Sequence, residues 1–151
     1  MPCESGFLFL LEVSQMTAKI NEGHRDREGM ETILLVEDED GVSDLTRSIL
    51  ERTGYSVLTA VNGKEALDIY EKEMDRISLV ILDLIMPEMD GKQCLEKLLK
   101  RDPSVKILVV SGYSDESVVE ETLGLGAKGF LGKPYRMKQI LRSVREILDS
   151  D

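Results

Sequence analysis

Five short apolar runs punctuate the chain: Thr32–Val36, Val57–Val61, Leu79–Leu82, Ile107–Val110 and Gly129–Leu131. Four of them are nearly continuous in Val, Ile and Leu instead of alternating with polar residues. A strand that is apolar on both faces must be covered on both faces, which is the situation of a parallel sheet sandwiched between helices. The segments between the runs carry a helical period. Val42, Leu45, Ile49 and Thr53 share one face of the first, and Ala66, Leu67, Tyr70 and Met74 share one face of the second, which Asn62 and Glu65 open with the spacing of a capping box. Leu95, Leu98 and Leu99 mark a third, Val118, Val119 and Leu123 a fourth, and Met137, Ile140, Leu141, Val144 and Leu148 the last. This alternation predicts an α/β fold: a doubly wound, five-stranded parallel sheet with right-handed crossovers and helices on both faces.

Such a domain accounts for residues 31–149 of the 151. Residues 1–30 stand outside the alternation. Phe9, Val13, Met16 and Ile20 recur at heptad-like spacing and would suit a short amphipathic helix, but Asn21–Gly29 is polar, and an isolated helix of that length is marginal in water. A loose leader before a domain start near Met30 is the expectation. A net charge of −10 argues against a nucleic-acid surface, which needs clustered Lys and Arg, and suits a protein that handles cations or docks on basic partners. Cys3 and Cys94 are far apart and lack CxxC spacing, so neither a disulfide framework nor a zinc site is expected, and a reducing cytoplasm is the default location. No apolar run approaches a membrane span, and Phe7–Leu11 lacks the basic flank and small-residue cleavage site of a signal peptide.

Polar residues collect where the apolar runs end: Glu37 and Asp38 after the first, Asp83 after the third, Ser111 after the fourth and Lys133 after the fifth. In a doubly wound sheet, ligands bind outside the carboxyl ends of the strands, where the strand order reverses. If the first and third strands are neighbours there, three carboxylates converge. Clustered carboxylates repel, and their charged forms coexist only with a cation among them. All-oxygen ligation with few protein ligands and room for water suits Mg2+ or Mn2+ rather than zinc. Lys133 would bring a compact positive charge to an anion beyond the metal, and Ser111 a hydroxyl donor. Cation, ammonium and hydroxyl around one carboxylate are what phosphoryl transfer requires, with Asp83 as nucleophile.

The segments ILLVED, VILDLIMPEMDG, VVSGYSD and GFLGKP, in this order and at these spacings, resemble the response-regulator receiver (CheY-like) family over about Glu31 to Leu148. The resemblance implies the flavodoxin-like strand order 2-1-3-4-5. Glu37 and Asp38 match the family's acidic pair, with Asp38 a direct metal ligand and Glu37 acting through water. Asp83 matches the phosphorylated aspartate, and the backbone carbonyl of Ile85 a further metal ligand. Ser111 matches the hydroxyl residue, Lys133 the lysine, and Pro134 the proline whose preceding peptide is cis in the family. Phe130 matches an aromatic position that switches together with Ser111. Ile85 and Tyr113, two positions beyond Asp83 and Ser111, match side chains that align the water hydrolysing the acyl phosphate; neither carries a carboxylate or carboxamide, which implies a long-lived phosphoprotein.

The implied function is a signalling switch, not an enzyme beyond its own phosphorylation and slow dephosphorylation. A sensor histidine kinase or phosphotransfer protein would supply the phosphoryl group from a phosphohistidine. The acyl phosphate would draw Ser111 and its loop inward and bias the face made by the fourth helix, fifth strand and fifth helix. The leader is too short for a DNA-binding module, so output through an unidentified downstream protein, or onward phosphotransfer, is expected. Asp115, Glu116, Glu120 and Glu121 on the fourth helix and Arg136, Lys138, Arg142 and Arg145 on the fifth are charges that a twofold axis would pair, which predicts a homodimer on activation. The rival is a phosphorylation-independent pseudo-receiver that serves as a docking module. Aspartyl-phosphate hydrolases of the DxD type place a general acid two positions after the nucleophile, and Ile85 stands there. Plainer roles compete at single residues: Asp83 and Ser111 as turn or loop residues, Phe130 and Cys94 as packing, His24 as a solvated side chain, and Gly91 as a turn glycine with positive φ.

Overall fold

The computed structural model describes residues 31–86, 89–112 and 115–150. The leader, with Cys3, His24 and the Phe9–Ile20 pattern, lies outside the described residues, as does Tyr113. The elements follow in the order β1 (Thr32–Val36), α1 (Asp40–Arg52), β2 (Ser56–Ala60), α2 (Gly63–Glu73), β3 (Ile77–Asp83), α3 (Gly91–Arg101), β4 (Ile107–Ser111), α4 (Glu116–Leu125), β5 (Gly129–Gly132) and α5 (Met137–Asp149). All neighbouring strands are parallel, and their order is β2-β1-β3-β4-β5.

The apolar runs are continuous because alternate residues feed two separate cores. Ile33, Leu35, Leu79, Ile81, Leu108 and Val110 point to one side, where Ile49 and Leu50 of α1 meet Ile140, Leu141, Val144 and Ile147 of α5. Leu34, Val36, Val80, Leu82, Ile107 and Val109 point to the other, against Ala66 and Tyr70 of α2 and Cys94, Leu95 and Leu98 of α3. Each fully buried Leu or Ile stabilises the fold by about 1.5–3 kcal/mol relative to exposure. The start of α2 is capped where its sequence suggests, Asn62 Oδ1 accepting from the Glu65 N–H at 2.8 Å, and at α4 Asp115 Oδ1 accepts from the Val118 N–H at 3.0 Å.

Three expectations shift. The second strand runs Ser56–Ala60 instead of Val57–Val61, because β1 stops at Val36, whose partner is Ala60; Val61 lies past the ladder and is exposed. In α1 the buried face is Ser43, Thr46, Ile49 and Leu50, with Thr53 buried at the cap that follows, whereas Leu45 is 46% exposed. In α4 the buried residue is Thr122, and Leu123 is 43% exposed. The cause is common to both helices. A threonine whose hydroxyl is satisfied can be buried like a small apolar residue. Thr53 donates to the Ile49 carbonyl at 2.7 Å, and Thr122 to the Val118 and Val119 carbonyls at 3.1 Å.

Arg145 of α5 forms a clasp that sequence reasoning missed. Its guanidinium reaches Glu31 Oε2 at 2.7 Å, Asp149 Oδ1 at 2.8 Å and the Tyr55 hydroxyl at 3.1 Å, tying α5 to the residue before β1 and to the turn before β2. No helix among the described residues is long and apolar enough to cross a membrane.

Candidate functional site

The strand order makes β1 and β3 neighbours, so the residues that leave their carboxyl ends meet. Val36 pairs with Leu82, which brings Glu37 and Asp38 beside Asp83. One carboxylate oxygen from each of the three lies within 4.8 Å of the others. Glu37 is 3% exposed, Asp83 is 4% exposed, and Asp38 is half-buried. Glu37 extends the ladder by one bond, its N–H donating to the Ala60 carbonyl at 3.0 Å, which fixes the backbone from which its side chain turns inward.

Lys133 arrives from the far edge. Its N–H donates to the Ser111 carbonyl at 2.8 Å as β5 ends, and the following Lys133–Pro134 peptide is cis, as expected. The side chain then crosses the ends of β4 and β3, and its ammonium donates to Glu37 Oε1 at 2.5 Å and to Asp83 Oδ2 at 3.1 Å. The other Asp83 oxygen, Oδ1, accepts from the Ile85 N–H at 3.2 Å, so the turn after β3 folds back on its own carboxylate. The Ile85 side chain points outward and is 51% exposed. Ser111 is buried at the end of β4, the strand whose Val110 pairs with Asp83. Phe130 is half-buried against the α2–α3 core.

Gly91 corrects an expectation. It is absent from the positive-φ glycines, which among the described residues are Gly54 and Gly126. Its requirement is space: a Cβ there would lie 2.4 Å from the Asp83 carbonyl oxygen and from Leu84 Cα. The bare backbone lets the start of α3 press on the turn that carries Asp83, and the Gly91 N–H donates to the Leu84 carbonyl at 3.0 Å. The signal legible in sequence was the glycine after an Asp cap; what it accommodates depends on a neighbour strand.

The electrostatics are those of a crowded anionic pocket. Burial pushes the Glu37 carboxyl up to about 7; hydrogen bonding and repulsion from Asp83 add to the rise, and Lys133 opposes it. Burial works against the Lys133 ammonium, but its hydrogen bonds to Glu37 and Asp83 outweigh that and raise its pKa. Three carboxylates face one ammonium, and Glu37 Oε2 is buried without a hydrogen-bond partner. An orphaned buried acceptor in an all-oxygen donor set fits a hard divalent cation. Cys94, by contrast, is packing: it is fully buried between α2 and α3, and burial pushes its thiol up to about 12.

Beside the site, Val42, Leu45, Ile49, Pro134 and Met137 line an apolar groove of about 570 Å3, which Lys133 and Tyr135 border. The hydrogen bond across it, Thr46 Oγ1 to the Tyr135 hydroxyl at 2.9 Å, has no signature in sequence, because its partners lie 89 residues apart.

The sequence and the fold match known proteins. The model of the response regulator receiver domain matches residues 33–145. The chemotaxis protein CheY of Treponema pallidum (strain Nichols) is 36% identical over 117 residues, covering 77% of this chain and 81% of that protein. Sporulation initiation phosphotransferase F of Bacillus subtilis (strain 168) is 33% identical over 118 residues, covering 78% and 94%. The sensor kinase CckA of Brucella abortus (strain 2308) is 40% identical over 124 residues, which are 82% of this chain but span only 13% of that kinase. Among solved structures, the CheX–CheY–BeF3–Mg2+ complex from Borrelia burgdorferi matches with a TM-score of 0.74 at 30% identity, over 80% of this chain and 90% of that one.

Proposed function

The chain belongs to the response regulator receiver domain family, and on that premise we propose that Asp83 is the phosphoacceptor of a two-component switch. One observation carries the reading: Lys133 crosses two strand ends to hydrogen-bond Asp83 and Glu37 inside a cluster of three carboxylates. A turn aspartate needs no such company, and a docking module without phosphorylation would have no use for it. A sensor histidine kinase or a phosphotransfer protein would present the phosphohistidine, in the cytoplasm. A carboxylate oxygen of Asp83 attacks phosphorus, the P–N bond breaks, and the imidazole leaves with the electron pair. Lys133 already holds Asp83 Oδ2 and is placed to follow the charge onto the phosphoryl oxygens. The Ile85 N–H orients the other oxygen.

Asp38 and Asp83 would hold Mg2+ or Mn2+, with the Ile85 carbonyl as a further ligand and Glu37 acting through water. When bound, the ion supplies neutralisation of the transferring oxygens. Ser111 would hydrogen-bond the acyl phosphate and, with Phe130, change the surface of α4, β5 and α5 offered to an unidentified downstream protein. Catalysis is confined to Asp83's own phosphorylation and slow dephosphorylation. Ile85 and Tyr113 would slow that last step, since neither offers a carboxylate or carboxamide to align the attacking water. Replacing both, Ile85→Asn with Tyr113→Glu, should shorten the lifetime of the phosphoprotein; an unchanged hydrolysis rate removes them from this role.

The decisive experiment for the reading is binding of beryllofluoride in Mg2+, followed by Asp83 resonances or calorimetry. Saturable binding, lost in Asp83→Ala and weakened in Asp38→Ala, is expected. Equal binding by the wild type and Asp83→Ala would reject it.

A further inference from the structure

The two halves of the site come from opposite sides of the sheet order. Glu37 and Asp38 lead from β1 into α1, whereas Lys133 leads from β5 into α5, with β3 and β4 between the two strands. β1 and β5 are not paired directly: the sheet links them only through β3 and β4, and the segments beyond the strand ends need a tie of their own. The Thr46–Tyr135 hydrogen bond spans that gap. Thr46 is 2% exposed, on the buried face of α1, less than three turns after the acidic pair. Tyr135 follows Lys133 by two residues, packs against the α1–α5 core, and puts its hydroxyl 2.9 Å from Thr46 Oγ1.

We propose that Tyr135, latched to Thr46, is a positioning residue that holds the β5–α5 turn so that the Lys133 ammonium sits between Glu37 and Asp83. Lys133 carries several rotatable bonds, and on the strand side its backbone N–H is held by the Ser111 carbonyl. The latch fixes the other side of the same turn. A phenylalanine would fill the same space without the tie to α1. The hydroxyl also lies in the site's own field: burial raises the Tyr135 pKa, and the charges of Lys133, Glu37 and Asp83 all act on it. The apolar groove shares Thr46, Lys133, Pro134 and Tyr135 as its wall, so the latch is also where pressure on the groove would reach the lysine.

This deepens the phosphoacceptor reading, on which its kinetic part rests. The full chain, Tyr135→Phe, Thr46→Val, the double variant and Thr46→Ser are compared in two measurements. In the first, Mg2+ and acetyl phosphate are added and the acyl phosphate is followed by mass spectrometry. In the second, the 15N signal of the Lys133 ammonium and its hydrogen exchange are read by NMR, with no phosphodonor present. Misplacement of a charge-stabilising group by a fraction of an ångström should slow phosphorylation at saturating donor about tenfold in Tyr135→Phe and in Thr46→Val, with half-saturation by the donor unchanged. The double variant should be no slower than either, Thr46→Ser should restore the rate, and Lys133 should exchange faster wherever the latch is lost. Thermal melts, alike across the set, separate positioning from folding. A wild-type rate in Tyr135→Phe, losses that multiply in the double variant, or a Lys133 signal indifferent to both substitutions overturns the proposal. If the wild type takes no phosphoryl group, the phosphoacceptor reading fails, and the Lys133 signal alone decides the latch.

Discussion

At Gly91, a single hydrogen in place of a methyl decides whether α3 can touch the turn that carries Asp83. A Cβ at 2.4 Å from two backbone atoms cannot be accommodated by side-chain motion, so Gly91→Ala must move either the helix or the turn. We expect a loss of about 1–3 kcal/mol in urea denaturation. A larger proportional loss of beryllofluoride binding should accompany it, because the part displaced is the Asp83 turn. Equal binding in a destabilised variant would show that α3 yields instead. Glu37 sets the pH dependence. Its folded carboxyl, pushed to about 7, lies above the value of 4.5 of an unstrained glutamate. The folded chain therefore binds more protons than the unfolded chain between those values, and metal-free stability should fall as pH rises from about 4.5 to 7, by an amount on the order of a few kcal/mol. Denaturation of the chelated protein across that range measures the slope, and Glu37→Gln should flatten it. A slope that persists unaltered in the variant would assign it to another group.

Elements obey the same economy of burial, with threonine as the recurring exception to hydropathy. In α1 Leu45 is exposed on the rim of the groove while Thr46, and Thr53 at the cap that follows, are buried, since each hydroxyl finds a partner. Leu45→Ser should therefore change stability by no more than about 0.5 kcal/mol, whereas Ile49→Ala, one turn on, should cost about 2–5 kcal/mol. Chemical denaturation of the two variants checks the pair; comparable losses would put Leu45 back in the core. The recurrence of apolar residues at helical spacing located all five helices, and the short apolar runs, four of them nearly continuous in Val, Ile and Leu, located the five strands. Strand ends were harder to place. β3 runs Ile77–Asp83, past the Leu79–Leu82 run at both ends, and where the border strands β2 and β5 end is set by the neighbour they pair with: Val36 with Ala60, and Ser111 with Gly132.

For the whole molecule, the predicted activated homodimer loses part of its charge complement. Arg145 is held within the chain by Glu31, Asp149 and Tyr55, Asp115 caps α4, and Glu121 is paired with Lys92. Glu116 and Glu120 against Arg136 and Arg142 remain as exposed charges. Exposed ion pairs contribute only about 0–1 kcal/mol each, so they would choose a geometry without driving association. Sedimentation of the beryllofluoride-activated chain should show a dimer at low salt that weakens at high salt; a monomer under both conditions ends the idea. Arg145→Ala should act on folding and leave any dimer geometry intact.

Sequence alone determined the alternation of strand and helix, the parallel character of the sheet, and the placing of Glu37, Asp38, Asp83 and Lys133 at strand ends, because periodicity and strand-end chemistry are local properties. The strand order came with the family's motifs, not from the period. Tertiary structure decided everything that depends on two distant segments meeting. It decided which threonines are buried, why position 91 must be glycine, what Arg145 grips, and that Tyr135 meets Thr46 across the face between α1 and α5. Local patterns record how one segment divides water from core. They carry no record of which hydroxyl or guanidinium from elsewhere will satisfy a buried group, and in this protein those distant partners shape the turn that presents the lysine to the aspartate.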